Sequence, residues 1–307
     1  MITVLAGGVG AARFLRGLID VVEPESITVI GNTGDDEEFL GLHVSPDLDT
    51  VVYTLADAVG PEGWGVDGDT YHALEAAKRF DEETWFLLGD RDLATHLHRT
   101  RLLRNGRSLS DATASIARAF GLRCTLLPMT NDRVRTMVTT DGGEITFQEY
   151  FVRRRQQDDV RALRFDGVER AQPAPGVLDA IAGAEAIVIA PSNPLVSIGP
   201  VLAIPGVREA LVATKAQVVA VSPIVGGQAL KGPADRMMAS LGHEVSAVGV
   251  ARMYADFLDV LVLDNVDAAL APAVESLGVR AVVTDTIMRD AESRRALARA
   301  TIDAAAT

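Results

Sequence analysis

Residues 2–13 read ITVLAGGVGAAR, an apolar run that passes through three glycines into a stretch with helical spacing. The unbroken apolar character of Ile2–Ala6 predicts a buried strand, and residues 11–19 predict a helix. Glycines at such a turn let backbone N–H groups approach an anion, and the N-terminus of the helix adds a partial positive charge. The run therefore predicts a strand–loop–helix unit that binds phosphate through Gly7, Gly8 and Gly10.

Similar apolar runs recur along the chain, and some are separated by helical patterns. They predict strands at 27–30, 186–189, 218–221, 260–263 and 281–284, and helices at 111–120 (with Ser110 as its N-cap) and 233–241. Continuous apolar runs are typical of parallel strands that helices cover on both faces. We therefore predict an α/β fold: a Rossmann-like, doubly wound, mostly parallel sheet in a single nucleotide-binding domain of residues 1–307.

The pattern changes at about 130–176. Two alternating runs, 134–140 and 144–152, flank Asp141-Gly142-Gly143, which predicts a hairpin. A charged stretch and a segment rich in proline follow. We expect a smaller α/β insertion here that serves as a lid or as a dimer element.

Composition limits the classes of partner. The chain has a formal net charge of −13 and a pI near 4.8, which disfavours a non-specific nucleic-acid surface. Cys124 is the only cysteine, and its apolar surroundings predict a buried residue rather than a catalytic thiol. The N-terminus lacks the pattern of a signal peptide, and no apolar run approaches the roughly 20 residues that span a bilayer. We expect a cytoplasmic protein that binds neither nucleic acid nor membrane.

The glycine loop differs from two well-known phosphate loops. A Walker A loop ends in Gly-Lys-Ser or Gly-Lys-Thr, and this loop does not. A dinucleotide fingerprint has a third glycine where Arg13 stands, and an acidic residue that follows the second strand. That strand instead runs into Gly31-Asn32-Thr33, so an NAD enzyme is the weaker alternative.

A carboxylate cluster follows the second predicted strand. Asp35 and Asp36 lie just after Asn32 and Thr33, and Asp47 and Asp49 follow within the run SPDLDT of residues 45–50. Strand ends in open α/β sheets face the ligand crevice, so these carboxylates should lie beside the bound phosphate. Carboxylates repel phosphate unless a cation separates them, and Mg²⁺ prefers such oxygen ligands. We predict Mg²⁺ at Asp35, Asp36, Asp47 and Asp49, with a solvated loop and a helix cap as the alternatives.

Three later segments carry further polar groups. Residues 89–92 read GDRD; Arg91 suits a phosphate or an acceptor ring, and Asp92 and His96 should share one helix face. Ser192 and Asn193 follow a predicted strand and offer hydrogen bonds to a base or a phosphate. Gly226 and Gly227 follow another strand in a second candidate anion loop, with Lys231 nearby. The last two loops and the glycine loop each follow a predicted strand, so these three strand-end loops should converge on one crevice.

Taken in order, these motifs resemble the family of 2-phospho-L-lactate transferases, which act in the biosynthesis of the deazaflavin coenzyme F-420. The similarity covers nearly the whole chain through several segments: GGVG at 7–10, NTGDD at 32–36, SPDLDT at 45–50, GDRD at 89–92, ATH at 94–96, PMTND at 128–132, PSNP at 191–194, SIGP at 197–200 and SPIVGG at 222–227. One departure is Val9, where archaeal members carry threonine.

The resemblance implies an activity. A phospholactyl or phosphoenolpyruvyl group would move from a guanosine diphosphate donor to a hydroxyl of the deazaflavin Fo, and GMP would leave. By analogy Asp49 and Arg91 would contact Fo and serve catalysis, with Asp90 and His96 beside them. The resemblance also implies Mg²⁺ and a homodimer. A paralogous family of nucleotide-sugar-binding regulators shares the glycine loop, and a non-enzymatic protein of that kind is the alternative.

Overall fold

The structure is a computed structural model that describes residues 1–306. Its strands are β1 Ile2–Ala6, β2 Ile27–Gly31, β3 Glu37–Phe39, β4 Leu42–Val44, β5 Thr125–Pro128, β6 Arg135–Thr140, β7 Gly143–Thr146, β8 Ala162–Asp166, β9 Ala186–Ile189, β10 Gln217–Val221, β11 Ile224–Val225, β12 Gln228–Ala229, β13 Val260–Asp264 and β14 Arg280–Thr284. Its α-helices are α1 Gly8–Leu18, α2 Pro46–Leu55, α3 His72–Ala77, α4 Asp92–Arg104, α5 Leu109–Ala119, α6 Val177–Ala182, α7 Gly199–Ala203, α8 Val207–Ala213, α9 Ala234–Ser240, α10 Ala247–Tyr254, α11 Ala271–Glu275 and α12 Ala291–Ala305.

Seven parallel strands form the central sheet, in the order β14-β13-β10-β9-β1-β2-β5. The chain winds outward from β1 in one direction through β2 and β5, and then in the other direction from β9. This arrangement confirms the predicted doubly wound α/β fold, and its switch point lies between β1 and β9. The six predicted strands are present, whereas the seventh, β5, was not predicted.

Alternate residues along each strand enter the two cores of the protein. Val4 and Ala6 pack on the face covered by α1, α2 and α12. Leu5 points to the opposite face, where its core includes residues of α6 to α10. Both faces are therefore shielded from water, which explains why the central strands are apolar at nearly every position.

Residues 135–166 contain a separate three-stranded antiparallel sheet, ordered β7-β6-β8. The hairpin predicted around Asp141–Gly143 is confirmed, but its second strand ends at Thr146 and not at Val152. Residues Glu149–Arg153 form a π-helical turn instead, whose first N–H donates to Thr146 Oγ1 at 3.3 Å. The small sheet also contacts the acidic loop, because the Thr136 N–H donates to the Gly34 carbonyl at 2.7 Å.

Two helix starts differ from the prediction. Helix α1 begins at Gly8 and not at residue 11, because the glycines form its first turn. Helix α5 is capped by Ser108, which forms a capping box with Asp111, whereas Ser110 hydrogen-bonds to Asn131 at 2.8 Å. In the part of the chain that the structure describes, no single helix is long and apolar enough to cross a bilayer. The segments Pro194–Ala203 and Val207–Ala213 reach that length and apolar composition only when they are taken together, and the two are bent by 87° relative to each other.

Candidate active site

The glycine loop lies at the switch point of the sheet, where β1 enters α1. Gly10 is needed for close packing, because a Cβ atom there would stand 2.3 Å from the carbonyl oxygen of Pro191. A Cβ at Gly7 would likewise stand 2.7 Å from the Cβ of Ser197. No side chain of the N-cap residue covers the first turn of α1. The loop therefore presents a helix N-terminus between the ends of β1 and β9, the geometry that favours an anion.

Asn32 connects three chain segments beneath this loop. Its Nδ2 donates to Asp47 Oδ2 at 2.9 Å and to the Val196 carbonyl at 3.3 Å, and its Oδ1 accepts from the Gly34 N–H at 2.8 Å. These bonds use the whole amide, so Asn32 positions its neighbours. The adjacent Thr33 is 3% exposed, and its Oγ1 has no hydrogen-bond partner.

Asp35 and Asp47 form a buried carboxylate pair beside the loop. Burial raises the pKa of Asp47 to about 6, although Asn32 and the Gly8 N–H oppose the rise. Burial, and next the charge of Asp47, raise the pKa of Asp35 well above its ordinary value. Two carboxylates held this close destabilise each other's charged form, and a cation between them would remove that cost.

The residues present fit a Mg²⁺ ion that shares its ligands with a phosphate. Mg²⁺ usually binds one or two carboxylates and completes its shell with phosphate oxygens and water. Asp35 supplies Oδ1, a buried atom without a hydrogen-bond partner. Within residues 1–306 no group of three or more His, Cys, Asp or Glu side chains could hold a metal, so the four-aspartate set is not assembled.

Asp36 lies near this pair, because its charge also raises the pKa of both carboxylates, and it joins a second cluster as well. Its Oδ2 lies 2.9 Å from His43 Nε2 and accepts from Ser45 Oγ at 2.7 Å. His43 is not among the residues that the sequence analysis singled out, and this contact was not predicted. The antiparallel pairing of β3 with β4 brings His43 back towards Asp36, and no local pattern signals it.

Asp47 and Asp49 lie in the first turn of α2, with Pro46 at the first helical position. Successive helical residues are about 100° apart, so two positions diverge by roughly 200° and face opposite sides. Asp47 therefore faces Asn32 and the glycine loop, whereas Asp49 faces α4. The structure thus separates the two aspartates that the sequence placed in one loop.

Asp49 belongs to a buried network between α2 and α4. Its Oδ1 pairs with Arg99 Nη2, and its Oδ2 lies 3.7 Å from His96 Nδ1. His96 Nε2 lies 3.0 Å from Asp92 Oδ2, and the Tyr53 hydroxyl donates to Asp92 Oδ1 at 2.7 Å. Asp92 and His96 share one helix face as predicted, but this face is buried. The sequence did not single out Arg99, which is 1% exposed.

Arg91 and Asp90 lie at the entrance to α4. The guanidinium of Arg91 is exposed and donates to the Asp67 carbonyl at 2.5 Å, while its backbone N–H donates to Asp69 Oδ1 at 2.6 Å. Asp90 accepts from the backbone N–H groups of His72 and Ala73, both at 3.0 Å, and so caps the first turn of α3. Arg91 thus offers an exposed cation, whereas the carboxylate of Asp90 is occupied by backbone.

The two later loops differ in their free groups. Ser192 is 5% exposed, and its Oγ has no partner. Asn193 caps the π-helical turn Pro194–Ile198 through its Oδ1, which accepts from the Leu195 N–H at 2.9 Å. Gly226 and Gly227 form the turn between β11 and β12, and the Gly226 N–H donates to Asp267 at 2.9 Å. Ser192 therefore keeps a free hydroxyl, whereas Asn193 and Gly226 are committed.

Buried polar atoms without partners concentrate around this crevice. Buried polar groups are normally paired, so orphans mark strain, missing water or a binding site. Those in the crevice are Thr33 Oγ1, Asp35 Oδ1, Asp36 Oδ1, Thr136 Oγ1 and Ser192 Oγ. Asp35, Asp36 and Thr136 line a narrow depression between the acidic loop and the small sheet, which is too tight to hold a water molecule.

Comparisons with known proteins agree with this geometry. Residues 2–302 match the profile of a family described as 2-phospho-L-lactate transferase CofD. A phosphoenolpyruvate transferase of Streptomyces griseus is 46% identical and covers 99% of this chain and 98% of its own. A 2-phospho-L-lactate transferase of Methanosarcina mazei is 41% identical, and the match covers 98% of this chain and 99% of that protein. A Bacillus halodurans member of the UPF0052 family has the same fold, with a TM-score of 0.64, 16% identity and 98% of each chain covered.

Proposed function

The chain belongs to the 2-phospho-L-lactate transferase CofD family, and we propose that it transfers a phospholactyl or phosphoenolpyruvyl group from a guanosine diphosphate donor to Fo. The observation that carries this proposal is the glycine loop at the switch point, flanked by the buried and unpaired groups of Thr33, Asp35 and Ser192. A diphosphate with its Mg²⁺ would supply acceptor oxygens to the two hydroxyls and to the N–H groups of the first turn of α1 that Asp47 leaves free, and a cation to Asp35.

The reaction is a displacement at phosphorus. The acceptor hydroxyl attacks the phosphorus that carries the three-carbon acid, and a phosphodiester forms. The bond from that phosphorus to the bridging oxygen breaks, and GMP leaves with this oxygen. The hydroxyl proton passes to a base or to water. Such chemistry depends mainly on positioning and on stabilisation of charge.

The chain's own residues divide these tasks. The first turn of α1 and the hydroxyl of Ser192 bind the diphosphate, and Asn32 fixes Asp47 beside it. Asp35 and Asp47 would hold Mg²⁺, which when bound neutralises the diphosphate and the developing charge on the leaving group. Of the four aspartates predicted as metal ligands, this assignment retains Asp35 and Asp47.

The acceptor side lies across α2. Asp49 keeps Oδ2 without a hydrogen-bond partner, but this atom is buried between α2 and α4, so it would accept a hydrogen bond from the attacking hydroxyl only after these helices move apart. Arg99 holds this carboxylate in place through Oδ1. The exposed cation of Arg91 suits the acceptor ring or the transferred phosphoryl group. We propose that Asp49 and Arg91 orient Fo, and that Asp90 and His96 support the segment that carries Arg91.

A mass-spectrometric assay with Fo tests this proposal. The protein is incubated with Mg²⁺, Fo and either the lactyl or the enolpyruvyl donor, and the phosphodiester and GMP are quantified. We expect one GMP for each phosphodiester with at least one donor. Binding of a nucleotide sugar without turnover of either donor would instead support the regulator.

A further inference from the structure

Lys231 lies in the loop between β12 and α9, and its ammonium group faces a neutral partner. Nζ donates to the carbonyl oxygen of Glu62 at 2.8 Å. Glu62 belongs to the turn 60–65 that follows α2, so this bond connects two loops above the strand ends. Over residues 1–306 no carboxylate forms an ion pair with this ammonium group, whereas exposed arginines such as Arg123 and Arg289 do form such pairs.

The ammonium group lies close to the glycine loop. A Cβ atom at Gly63 would stand 3.2 Å from Lys231 Nζ and 3.1 Å from Val9 Cγ1. Val9 is in the first turn of α1, so Lys231 and that turn converge on one point. The turn 60–65 separates them and thereby forms one wall of the crevice.

This placement brings two positive groups together. The N-terminus of α1 carries a partial positive charge, and an ammonium ion beside it raises the local potential further. A carbonyl oxygen only partly offsets that charge. Two buried hydroxyls, Thr33 Oγ1 and Ser192 Oγ, lie at the strand ends on either side of the loop and also lack partners. The set is complementary to an anion with several oxygens.

We propose that Lys231 binds the diphosphate of the donor and exchanges its bond to Glu62 for one to a phosphate oxygen. The inference rests on the proposed function, because that function makes a nucleoside diphosphate the ligand of the glycine loop. A lysine suits this task because its compact charge and rotatable donors adapt to a tetrahedral phosphate without a fixed plane. The second candidate anion segment thus supplies a phosphate ligand through Lys231, which follows β12, rather than through Gly226 and Gly227, which precede it.

Calorimetric titration with GDP in Mg²⁺ buffer tests the proposal on four proteins: the wild type, Lys231→Met, Lys231→Arg and Lys215→Met. Lys215 is an exposed lysine just before β10, at the opposite end of the strands, and is the matched control. A hydrogen bond between charged groups corresponds to about 10- to 100-fold in affinity. We expect Lys231→Met to weaken GDP binding by that factor, Lys231→Arg to keep most of the affinity, and Lys215→Met to bind as the wild type does.

Two further readouts separate a phosphate ligand from a structural tie between loops. The melting temperature without ligand and the affinity for Fo should be unchanged in Lys231→Met, because an exposed bond to a carbonyl contributes little. The KM for the donor should rise while the KM for Fo stays constant. GDP binding by Lys231→Met within about twofold of a measurable wild-type value overturns the assignment of Lys231. A wild type that binds no GDP instead refutes the proposed function, and the inference falls with it.

Discussion

The ion pair between Arg99 and Asp49 provides a direct test of how the site is held together. Arg99 is the largest fully buried side chain in residues 1–306, and its other head-group contacts are the His43 carbonyl at 3.3 Å and His96 Nδ1 at 3.2 Å. Arg99→Met keeps much of the side-chain length but leaves Asp49 buried without its cation. We expect the free energy of unfolding to fall by about 3–5 kcal/mol, the usual result of removing one partner of a buried pair.

The loss should depend on pH in a defined direction. Burial raises the pKa of Asp49 even with Arg99 present, because the guanidinium only partly opposes the desolvation. Without Arg99 that pKa rises further. A carboxyl whose pKa is higher in the folded state stabilises folding below its unfolded pKa, and this contribution is lost as the pH rises through the folded-state value. The difference between variant and wild type should therefore be largest near pH 8 and shrink towards about pH 5.

Urea titrations at several pH values measure this difference, with reversibility checked at each. Arg101→Met is the matched control, because Arg101 lies on the same helix but is exposed; we expect a change within about 0.5 kcal/mol. Replacing both partners, in Asp49→Asn with Arg99→Met, removes the uncompensated charge and should recover much of the loss. The reasoning is refuted if Arg99→Met unfolds like Arg101→Met, or if its loss grows as the pH falls.

Three further predictions concern charge, metal and the thiol. Because burial raises the pKa of Asp47 to about 6, its charge destabilises the folded state above that pH. Asp47→Asn should therefore raise the free energy of unfolding by about 1–3 kcal/mol in urea titrations near pH 7, while transfer activity is lost. An unchanged free energy of unfolding would contradict the cost assigned to the buried charge. Transfer should stop in EDTA and return with Mg²⁺, so that full turnover in metal-free buffer counts against a bridging cation. Burial raises the pKa of Cys124 to about 11, so iodoacetamide near pH 8 should label it only after unfolding, and rapid labelling of the native protein would show that it is accessible.

The central sheet was predictable because its strands are buried on both faces. Four of them are apolar at nearly every position: β1, β9, β10 and β13. This pattern can be recognised in the sequence without knowing which strands pair with which. β5 was not predicted because it is an edge strand with one exposed and one half-exposed residue, and because it ends at Pro128. A short edge strand needs less apolar sequence, so its signal is weak.

The glycine loop and the carboxyl ends of β2 and β9 were located correctly by the same logic, but side-chain partners were not. His43 meets Asp36 across a hairpin, and Arg99 meets Asp49 although 50 positions separate them. The first contact depends on how β3 pairs with β4 and the second on how α4 packs beside α2, and no local periodicity encodes either. The caps are a similar case: Asp90 looked like a ligand, yet it satisfies the N–H groups of a helix that starts 18 positions earlier.

The wrong prediction with chemical consequences concerns the relative placement of Asp47 and Asp49, and it could have been avoided. The SPDLDT run was expected to place Asp47 and Asp49 together as ligands of one Mg²⁺ ion, but a proline at the first position is also a common helix start. Once Pro46 begins α2, the spacing of two residues sends Asp47 and Asp49 to opposite sides. Under the proposed function, one helical turn would supply a carboxylate to the diphosphate side and another to the acceptor side, and the rigid helix would fix the distance between them.

This division changes what a substitution at Asp49 can show. Asp49→Asn alone removes a carboxylate from the acceptor side and also strips Arg99 of its partner, so lost turnover mixes chemistry with damage to the packing of α2 on α4. The double variant with Arg99→Met separates the two effects, because the packing defect is largely relieved while the carboxylate stays absent. If Asp49 orients the attacking hydroxyl, transfer should remain about 100-fold or more below wild type in a double variant of recovered stability. If turnover recovers together with stability, Asp49 serves only to balance Arg99, and the acceptor hydroxyl takes its orientation from Arg91 and the metal side.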